Sequence, residues 1–270
     1  MTLDLAAYFS RIGYRGPGAP TVEALNALTS AHVQAIPFEN LDVLLGRGID
    51  LAPEAIFDKL VRQRRGGYCF EHNGLFLEVL TALGFTVRPL SARGRILTPR
   101  GPIPPRTHLL LEAHVAGERW LTDVGVGALS LTSAIRFAVD DEQQTPHEPR
   151  RIVREAEHWL HQARLGDTWT DVYEFTGEEM PPIDREVGNW YTSAHPRSHF
   201  RSLLIAARAA PDGGRVTLRD GELKRRDHQG RAETRTIGSA EELLAVLRTE
   251  FGLAFPPGTR FGEPGAPWPV

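Results

Sequence analysis

The chain has 270 residues, enough for two or three small subdomains that share interfaces. Apolar residues make up 41% and charged residues 24% of it, which is typical of a globular protein with a substantial core. The formal net charge of −3 excludes a global attraction to nucleic acid or anionic lipid, so we expect neither nucleic acid nor a membrane as a partner.

The single cysteine limits the covalent and metal chemistry of the chain. One cysteine excludes an internal disulfide and a multi-cysteine zinc site, and we predict no metal. The N-terminal segment lacks the basic and apolar regions of a signal peptide. No apolar stretch approaches the roughly 20 residues that cross a bilayer. We therefore expect a cytoplasmic protein, and the sequence leaves its oligomeric state open.

Residues 1–85 are predicted to be helical because apolar residues recur every three to four positions. Thr21 can cap one helix, and Pro53 can open another. The pair Gly66-Gly67 ends the second of these helices. A third helix is predicted to begin near Cys69.

Residues 86–188 change to the period of strands. Turns at Ala116-Gly117-Glu118 and Gly166-Asp167 join strands as hairpins, and a proline-rich loop, Thr98–Pro105, separates the first two. We predict an antiparallel sheet or barrel. The predicted strands are Thr86–Arg93, His108–Val115, Arg119–Val124, His158–Arg164 and Thr168–Phe175.

Residues 189–270 combine a connecting segment with strands and one helix. The stretch 188–200 is polar and aromatic without a period, so it is interpreted as a connection. Ser239-x-x-Glu242 is a capping box that predicts a helix after it. The tail from Pro256 is rich in proline and glycine and is predicted to be irregular. The predicted strands are Leu203–Ala209 and Arg215–Arg219.

The segment around Cys69 has the features that a thiol nucleophile needs. Two glycines release the backbone before it, so the sulfur lies in the first turn of a new helix. Unpaired N–H groups and the helix dipole stabilise a thiolate there. The same N–H groups can hold an oxyanion. The alternative interpretation is a small buried hydrophobe, as many lone cysteines are.

A base and a carboxylate for Cys69 are predicted on the adjoining hairpin. With Ala116-Gly117 as its loop, Asp123 falls two residues from the position opposite His108. The two side chains then share one face as a diagonal pair, about 7–8 Å apart at the backbone. A slip of one residue in register would place them on opposite faces.

These segments together resemble the arylamine N-acetyltransferase family. The matching segments keep the family's order and spacing, and the resemblance covers the whole chain but weakens in its last third. They are Ile-Pro-Phe-Glu-Asn-Leu-Asp at 36–42, Arg-Gly-Gly-Tyr-Cys-Phe-Glu-His-Asn at 65–73, Thr107-His108, and Asp-Val-Gly-Val-Gly at 123–127.

The resemblance implies an α+β fold in three parts around a catalytic core like that of cysteine proteases. Residues 1–85 would form an N-terminal helical bundle that carries the nucleophile. Residues 86–188 would form a central antiparallel β-barrel that carries the histidine and the aspartate. Residues 189–270 would supply a connecting segment and a C-terminal α/β lid.

The implied activity is transfer of an acetyl group from acetyl-CoA to arylamines, arylhydrazines or N-hydroxyarylamines. Acetyl-CoA would be the acyl donor, and the substrates would be small molecules. The implied triad is Cys69, His108 and Asp123. Residues implied to face the acceptor are Phe38, Phe70, Val126 and Phe200, and those implied to face CoA are Thr107, Gly125 and Gly127.

Two further positions stand out within the resemblance. Glu39 and Arg65 are implied to form a buried ion pair beneath the cysteine loop. Many members of the family carry an aromatic residue at the position of Val126 and a glutamine at that of His72, so the acceptor pocket is expected to differ in shape.

Other interpretations of the same residues remain open. A papain-like or transglutaminase-like hydrolase would use the same triad with water as the acceptor. An amide synthase of macrocycle biosynthesis would use the same triad with a larger acceptor. A binding protein without catalysis would merely bury Cys69. A metal site at His158 and His161 is disfavoured because a strand would point these two side chains to opposite faces. A dinucleotide site at Gly125-x-Gly127 is disfavoured because the third glycine of that motif is absent.

Overall fold

The first third of the chain is helical in the computed structural model, which describes residues 3–96, 98 and 100–262. Thr21 Oγ1 accepts the N–H of Ala24 at 3.2 Å, which confirms the predicted cap. A π-helical turn, Asp58–Arg62, follows directly after the fourth helix. The elements are α1 (Leu5–Ile12), α2 (Val22–Ala35), strand β1 (Phe38–Glu39), α3 (Leu41–Leu44), α4 (Pro53–Phe57) and α5 (Cys69–Ala82).

The middle of the chain forms a nearly closed antiparallel barrel, as predicted. Its strand order is β5-β4-β3-β2-β8-β7-β6. Val139, just after β5, bridges Ile152 in β6 and so brings the two ends of the sheet together. The strands are β2 (Thr86–Gly94), β3 (His108–Val115), β4 (Glu118–Thr122), β5 (Ile135–Arg136), β6 (Arg150–Glu155), β7 (His158–Leu165) and β8 (Thr168–Glu179).

The hairpin of β3 and β4 has the predicted register. Val115 pairs with Glu118, and Leu111 pairs with Thr122. The loop residues Ala116 and Gly117 have φ of 53° and 81°, and two positive φ angles are typical of the tight turns that suit twisted hairpins. Extended along both strands, this register sets His108, at the start of β3, opposite Gly125. Asp123, the residue after β4, is two positions from Gly125.

The last part of the chain forms a second sheet covered by a helix. Its order is β1-β9-β10-β11-β12, so β1 of the N-terminal part is its edge strand. Ser239 Oγ accepts the N–H of Glu242 at 3.1 Å, which confirms the predicted helix start. The elements are β9 (Ile205–Ala209), β10 (Arg215–Arg219), β11 (Glu222–Arg226), β12 (Ala232–Thr236) and α7 (Ala240–Phe251).

The interpretation of residues 188–200 as an irregular connection is wrong for most of that stretch. A helix, α6, spans Pro182–Ala194, and the boundary predicted between 188 and 189 falls inside it. Its buried face consists of Gly188 and Thr192. Apolar periodicity misses this helix because its larger apolar side chains face outward; these are Ile183, Val187 and Trp190, at 62%, 59% and 56% exposure.

Two sequence predictions extend past the described residues. Pro99 of the predicted loop Thr98–Pro105 lies outside them, as do residues 263–270 of the predicted irregular tail. In the described part of that tail, Phe261 is fully buried against the lid core. None of the helices in the described ranges is long and apolar enough to cross a membrane.

Candidate active site

Cys69 occupies the first position of α5, as predicted. Glu71 Oε2 accepts the N–H of Tyr68 at 3.0 Å, and the Glu71 N–H donates to the Tyr68 carbonyl at 3.1 Å. The N–H groups of Cys69 and Phe70 therefore precede the first hydrogen bond of the helix. Cys69 is 5% exposed, and its thiol donates to the carbonyl of Thr107 at 3.6 Å.

The two glycines before Cys69 are required because neighbouring atoms leave no room for a side chain at either position. A side chain at Gly66 would overlap the carbonyl of Pro37, and one at Gly67 would lie 2.6 Å from Glu71 Oε2. The Gly67 carbonyl accepts the N–H of Glu39 at 2.7 Å. The nucleophile loop is thereby fastened to β1.

His108 and Asp123 meet as the register requires. His108 Nε2 lies 2.6 Å from Asp123 Oδ2, and Asp123 is fully buried. Burial lowers the pKa of His108, but the charge and hydrogen bond of Asp123, with a smaller effect of Cys69, raise it to about 10. Because Nε2 is committed to the carboxylate, Nδ1 is the ring nitrogen left for the thiol. The structure thus brings the three predicted residues together.

Asn73 joins the nucleophile's helix to the barrel, a role that the sequence reasoning missed. Its Nδ2 donates to the Leu109 carbonyl at 2.6 Å and to Asp123 Oδ1 at 2.8 Å. Its Oδ1 accepts the N–H of Val124 at 3.1 Å. The available signal was its position four residues after Cys69, which places both on one face of the helix.

Gly125 permits the close contact between the barrel and α5. A side-chain carbon there would lie 2.7 Å from Cys69 Cα and 2.7 Å from Asn73 Nδ2. Its N–H donates to Asp123 Oδ1 at 2.9 Å. Gly127 has a φ of +83° and packs against the ring of Phe38. The close packing of this loop against α5 and Phe38 therefore explains why glycine occupies both positions.

A cavity of about 420 Å³ opens onto the nucleophile. It lies where the bundle, the barrel and the lid meet, because α5, β3 and β9 all contribute to its walls. Among the described residues that line it there is no aspartate or glutamate, whereas Arg197 and Arg219 are present. The predicted residues that line it are Cys69, His108, Thr107, Gly125, Phe38, Val126 and Phe200.

Phe70 and Gly127, which were predicted to face the acceptor and CoA, are not among those lining residues. Phe70 is 1% exposed and packs edge-on against Tyr68, with ring centroids 5.9 Å apart. A side chain at Gly188 of α6 would lie 2.6 Å from its ring. One residue along a helix turns by about 100°, so Phe70 points beneath α6 while Cys69 faces the cavity.

Two buried histidines, His32 and His72, form a hydrogen-bonded chain that packs against Phe38. Tyr8 Oη lies 2.8 Å from His32 Nδ1, His32 Nε2 lies 2.9 Å from His72 Nδ1, and His72 Nε2 lies 3.2 Å from the Pro37 carbonyl. A carbonyl only accepts, so His72 carries a proton on Nε2. Burial lowers the pKa of both rings, which favours their neutral forms. The ring of His72 stacks on Phe38, with centroids 6.2 Å apart.

The predicted ion pair beneath the cysteine loop is confirmed. Arg65 donates to Glu39 Oε1 from Nη2 at 2.7 Å and from Nε at 3.1 Å. Arg65 also contacts Asp42 at 3.1 Å. Because all three side chains are largely buried, the pair fixes the loop rather than a solvated surface.

Comparison with known proteins agrees with this geometry. A family model described as N-acetyltransferase matches residues 21–258. An arylamine N-acetyltransferase / N-hydroxyarylamine O-acetyltransferase of Salmonella typhimurium is 44% identical over 94% of this chain and 90% of its own length. Arylamine N-acetyltransferase 1 of Homo sapiens is 30% identical over 93% of this chain and 94% of its own.

Solved structures give the same result. The arylamine N-acetyltransferase of M. tuberculosis superposes with a TM-score of 0.89 at 43% identity, covering 92% of this chain and 93% of that one. The Mycobacterium marinum arylamine N-acetyltransferase in complex with CoA superposes with a TM-score of 0.89 at 41% identity, covering 92% of each chain. The chain therefore belongs to the arylamine N-acetyltransferase family, and it is an acyltransferase.

Proposed function

We propose that this protein transfers an acetyl group from acetyl-CoA to arylamines, arylhydrazines or N-hydroxyarylamines by a ping-pong mechanism through acetyl-Cys69. The observation that carries the proposal is the nucleophile at the start of α5, facing a His108–Asp123 pair 2.6 Å apart across a shared cavity. The name of one relative supports arylamines and N-hydroxyarylamines as acceptors, and the complex of another with CoA supports a CoA thioester as the donor.

In the first half-reaction, Cys69 attacks the thioester. His108 Nδ1 takes the thiol proton, and the pKa of about 10 keeps the ring protonated near neutral pH as the partner of a thiolate. The sulfur bonds to the acetyl carbon, and the oxyanion that forms faces the helix N-terminus. The bond from the acetyl carbon to the CoA sulfur then breaks, and His108 returns the proton to the departing CoA.

In the second half-reaction, the amine nitrogen attacks the acetyl carbon on Cys69. His108 takes the proton that this nitrogen loses, and the Cys69 thiolate leaves. Asp123 holds the ring by Nε2 throughout, so Nδ1 always faces the reacting atoms. We assign the apolar walls Phe38, Val126 and Phe200 to the aromatic part of the acceptor.

The donor would enter from the side of the cavity that carries Arg197 and Arg219. Guanidinium groups bind phosphate oxygens well, and no described acidic side chain in the cavity wall opposes them. Thr107 and Gly125 line the cavity and contact Cys69, and they are proposed to face the CoA end. The relative crystallised with CoA supports acetyl-CoA as the donor.

Two-substrate kinetics test the proposal against a hydrolase that uses the same triad. CoA release is followed with acetyl-CoA alone and with added arylamine. We expect a single burst of CoA without an acceptor, sustained release with one, and parallel double-reciprocal lines as the two concentrations are varied. Sustained release without an arylamine would instead identify water as the acceptor.

A substitution at the nucleophile tests the covalent step. Cys69→Ser should fold normally and lose turnover, because an alcohol lacks thiolate character near neutral pH. Full turnover by this variant would refute the assignment of Cys69. A normal unfolding curve for the variant excludes loss of structure as the cause of its inactivity.

A further inference from the structure

A buried ammonium lies beneath the first turn of α5. Lys59 Nζ lies 2.6 Å from Glu71 Oε1 and 2.8 Å from Asp42 Oδ2. The side chain of Lys59 is 15% exposed and that of Glu71 is 3% exposed. The other oxygen of Glu71 accepts the N–H of Tyr68 at 3.0 Å. A continuous set of contacts therefore runs from Lys59 to the residue that precedes Cys69.

The local backbone is shaped to place this ammonium. Residues Asp58–Arg62 form a π-helical turn instead of continuing α4 as an α-helix. Such turns are rare in proteins, and those that occur are often at functional sites. The Lys59 carbonyl accepts the N–H of Arg65 at 3.0 Å, at the entrance to the nucleophile loop. Of the 31 lysines and arginines only two are lysines, and the other, Lys224, is exposed on β11.

The charges in this cluster explain what Lys59 does for Glu71. Burial, together with the charge of Glu39, holds the pKa of Glu71 above its usual value, and the charge and hydrogen bond of Lys59 oppose that rise. Burial lowers the pKa of Lys59, but Glu71, Glu39 and Asp42 together raise it above its usual value. Lys59 therefore stays charged, and it stabilises Glu71 as a carboxylate whose free oxygen accepts the N–H of Tyr68.

A carboxylate two residues after a thiolate opposes that thiolate unless its charge is cancelled. Lys59 supplies the cancelling charge to Glu71, and neither residue lines the cavity. A guanidinium is a planar fork with five donors, and it does not reproduce a point charge held between two carboxylates.

We propose that Lys59 is a positioning residue for Cys69, acting through Glu71. It fixes the first turn of α5 and neutralises the Glu71 carboxylate two residues after the nucleophile. The proposal rests on the proposed function of Cys69 as the acetylated nucleophile. It adds a requirement that lies outside the triad and outside the Arg65–Glu39 pair.

Three variants of the full chain separate charge compensation from simple structural support. Lys59→Met keeps the length of the side chain and removes the charge. The double variant Lys59→Met/Glu71→Gln removes both charges but keeps an oxygen that accepts the Tyr68 N–H. Lys224→Met is the matched control, because it removes the other lysine from an exposed strand.

Two measurements are made on each variant: the single-turnover rate of acetylation at saturating acetyl-CoA, and the pH dependence of Cys69 alkylation by iodoacetamide. For Lys59→Met we expect acetylation to slow roughly 10- to 100-fold, with unchanged half-saturation by acetyl-CoA. Its alkylation profile should move to higher pH. The double variant should recover most of the rate and the wild-type profile, and Lys224→Met should match wild type.

Two results would overturn the proposal: a wild-type rate and profile for Lys59→Met, or an equal loss in the single and double variants. Should Lys59→Met fail to fold, the double variant decides, because a folded double variant with a shifted alkylation profile contradicts charge compensation. Failure of the wild-type chain to form acetyl-Cys69 would instead refute the proposed function, so the two failures are distinct.

Discussion

The contact between Gly125 and α5 sets the separation of nucleophile and base, and Gly125→Ala tests its importance. The added carbon would lie 2.7 Å from Cys69 Cα, whereas ordinary contacts begin near 3.4 Å. The barrel loop and the helix must therefore move apart by about 0.7 Å. Asp123, two residues earlier, holds His108, so the displacement is passed to the base.

A misplacement of about 1 Å costs up to roughly 100-fold in rate. We therefore expect single-turnover acetylation of Gly125→Ala to slow about 10- to 100-fold. Overpacking at this site should cost about 1–3 kcal/mol in the free energy of unfolding, measured in urea. Gly94→Ala is the control, because Gly94 lines the same cavity but its added carbon meets nothing within 4 Å. Equal rates for the two variants would refute the reasoning.

Three further substitutions probe other parts of the site. Asp123→Asn presents a donor to His108 Nε2 and favours the wrong tautomer, so single-turnover acetylation should slow roughly 10³- to 10⁴-fold; a normal rate would exclude the triad. Burial lowers the pKa of His72 to about 4, so unfolding takes up a proton below about pH 6.5. The stability that neutral His72 provides is therefore present above about pH 6.5 and lost toward pH 4, in total ~3 kcal/mol. Urea unfolding of His72→Gln should accordingly depend less on pH than that of wild type, and equal slopes would contradict this. Val126→Phe narrows the proposed acceptor pocket. The ratio of kcat/KM for bicyclic arylamines to that for monocyclic arylamines should fall by about 10-fold, and an unchanged ratio would place the acceptor elsewhere.

Features with a local cause were predictable from the sequence. The start of α5 follows from the glycine pair before Cys69 and from Glu71 three residues after the cap. The meeting of His108 with Asp123 follows from a two-residue hairpin loop, because a short loop fixes the register of both strands.

Features that depend on contacts distant in sequence were not predictable. Asn73 bonds to residues 36 to 51 positions away, and β1 pairs with β9 from the other end of the chain. Helix α6 was missed because small residues make up its buried face, so its apolar pattern points to solvent. Phe70 follows Cys69 directly, yet one helical step carries it away from the cavity. Only the packing of the three parts decides which neighbours of the nucleophile line the site.

The most direct test of the account is the mass of the intact protein after exposure to acetyl-CoA, with the modified residue located by peptide fragmentation. We expect one added acetyl group on Cys69, which disappears when an arylamine is added and reappears as the acetylated amine. An unmodified protein that still turns over, or an acetyl group on any other residue, would contradict it.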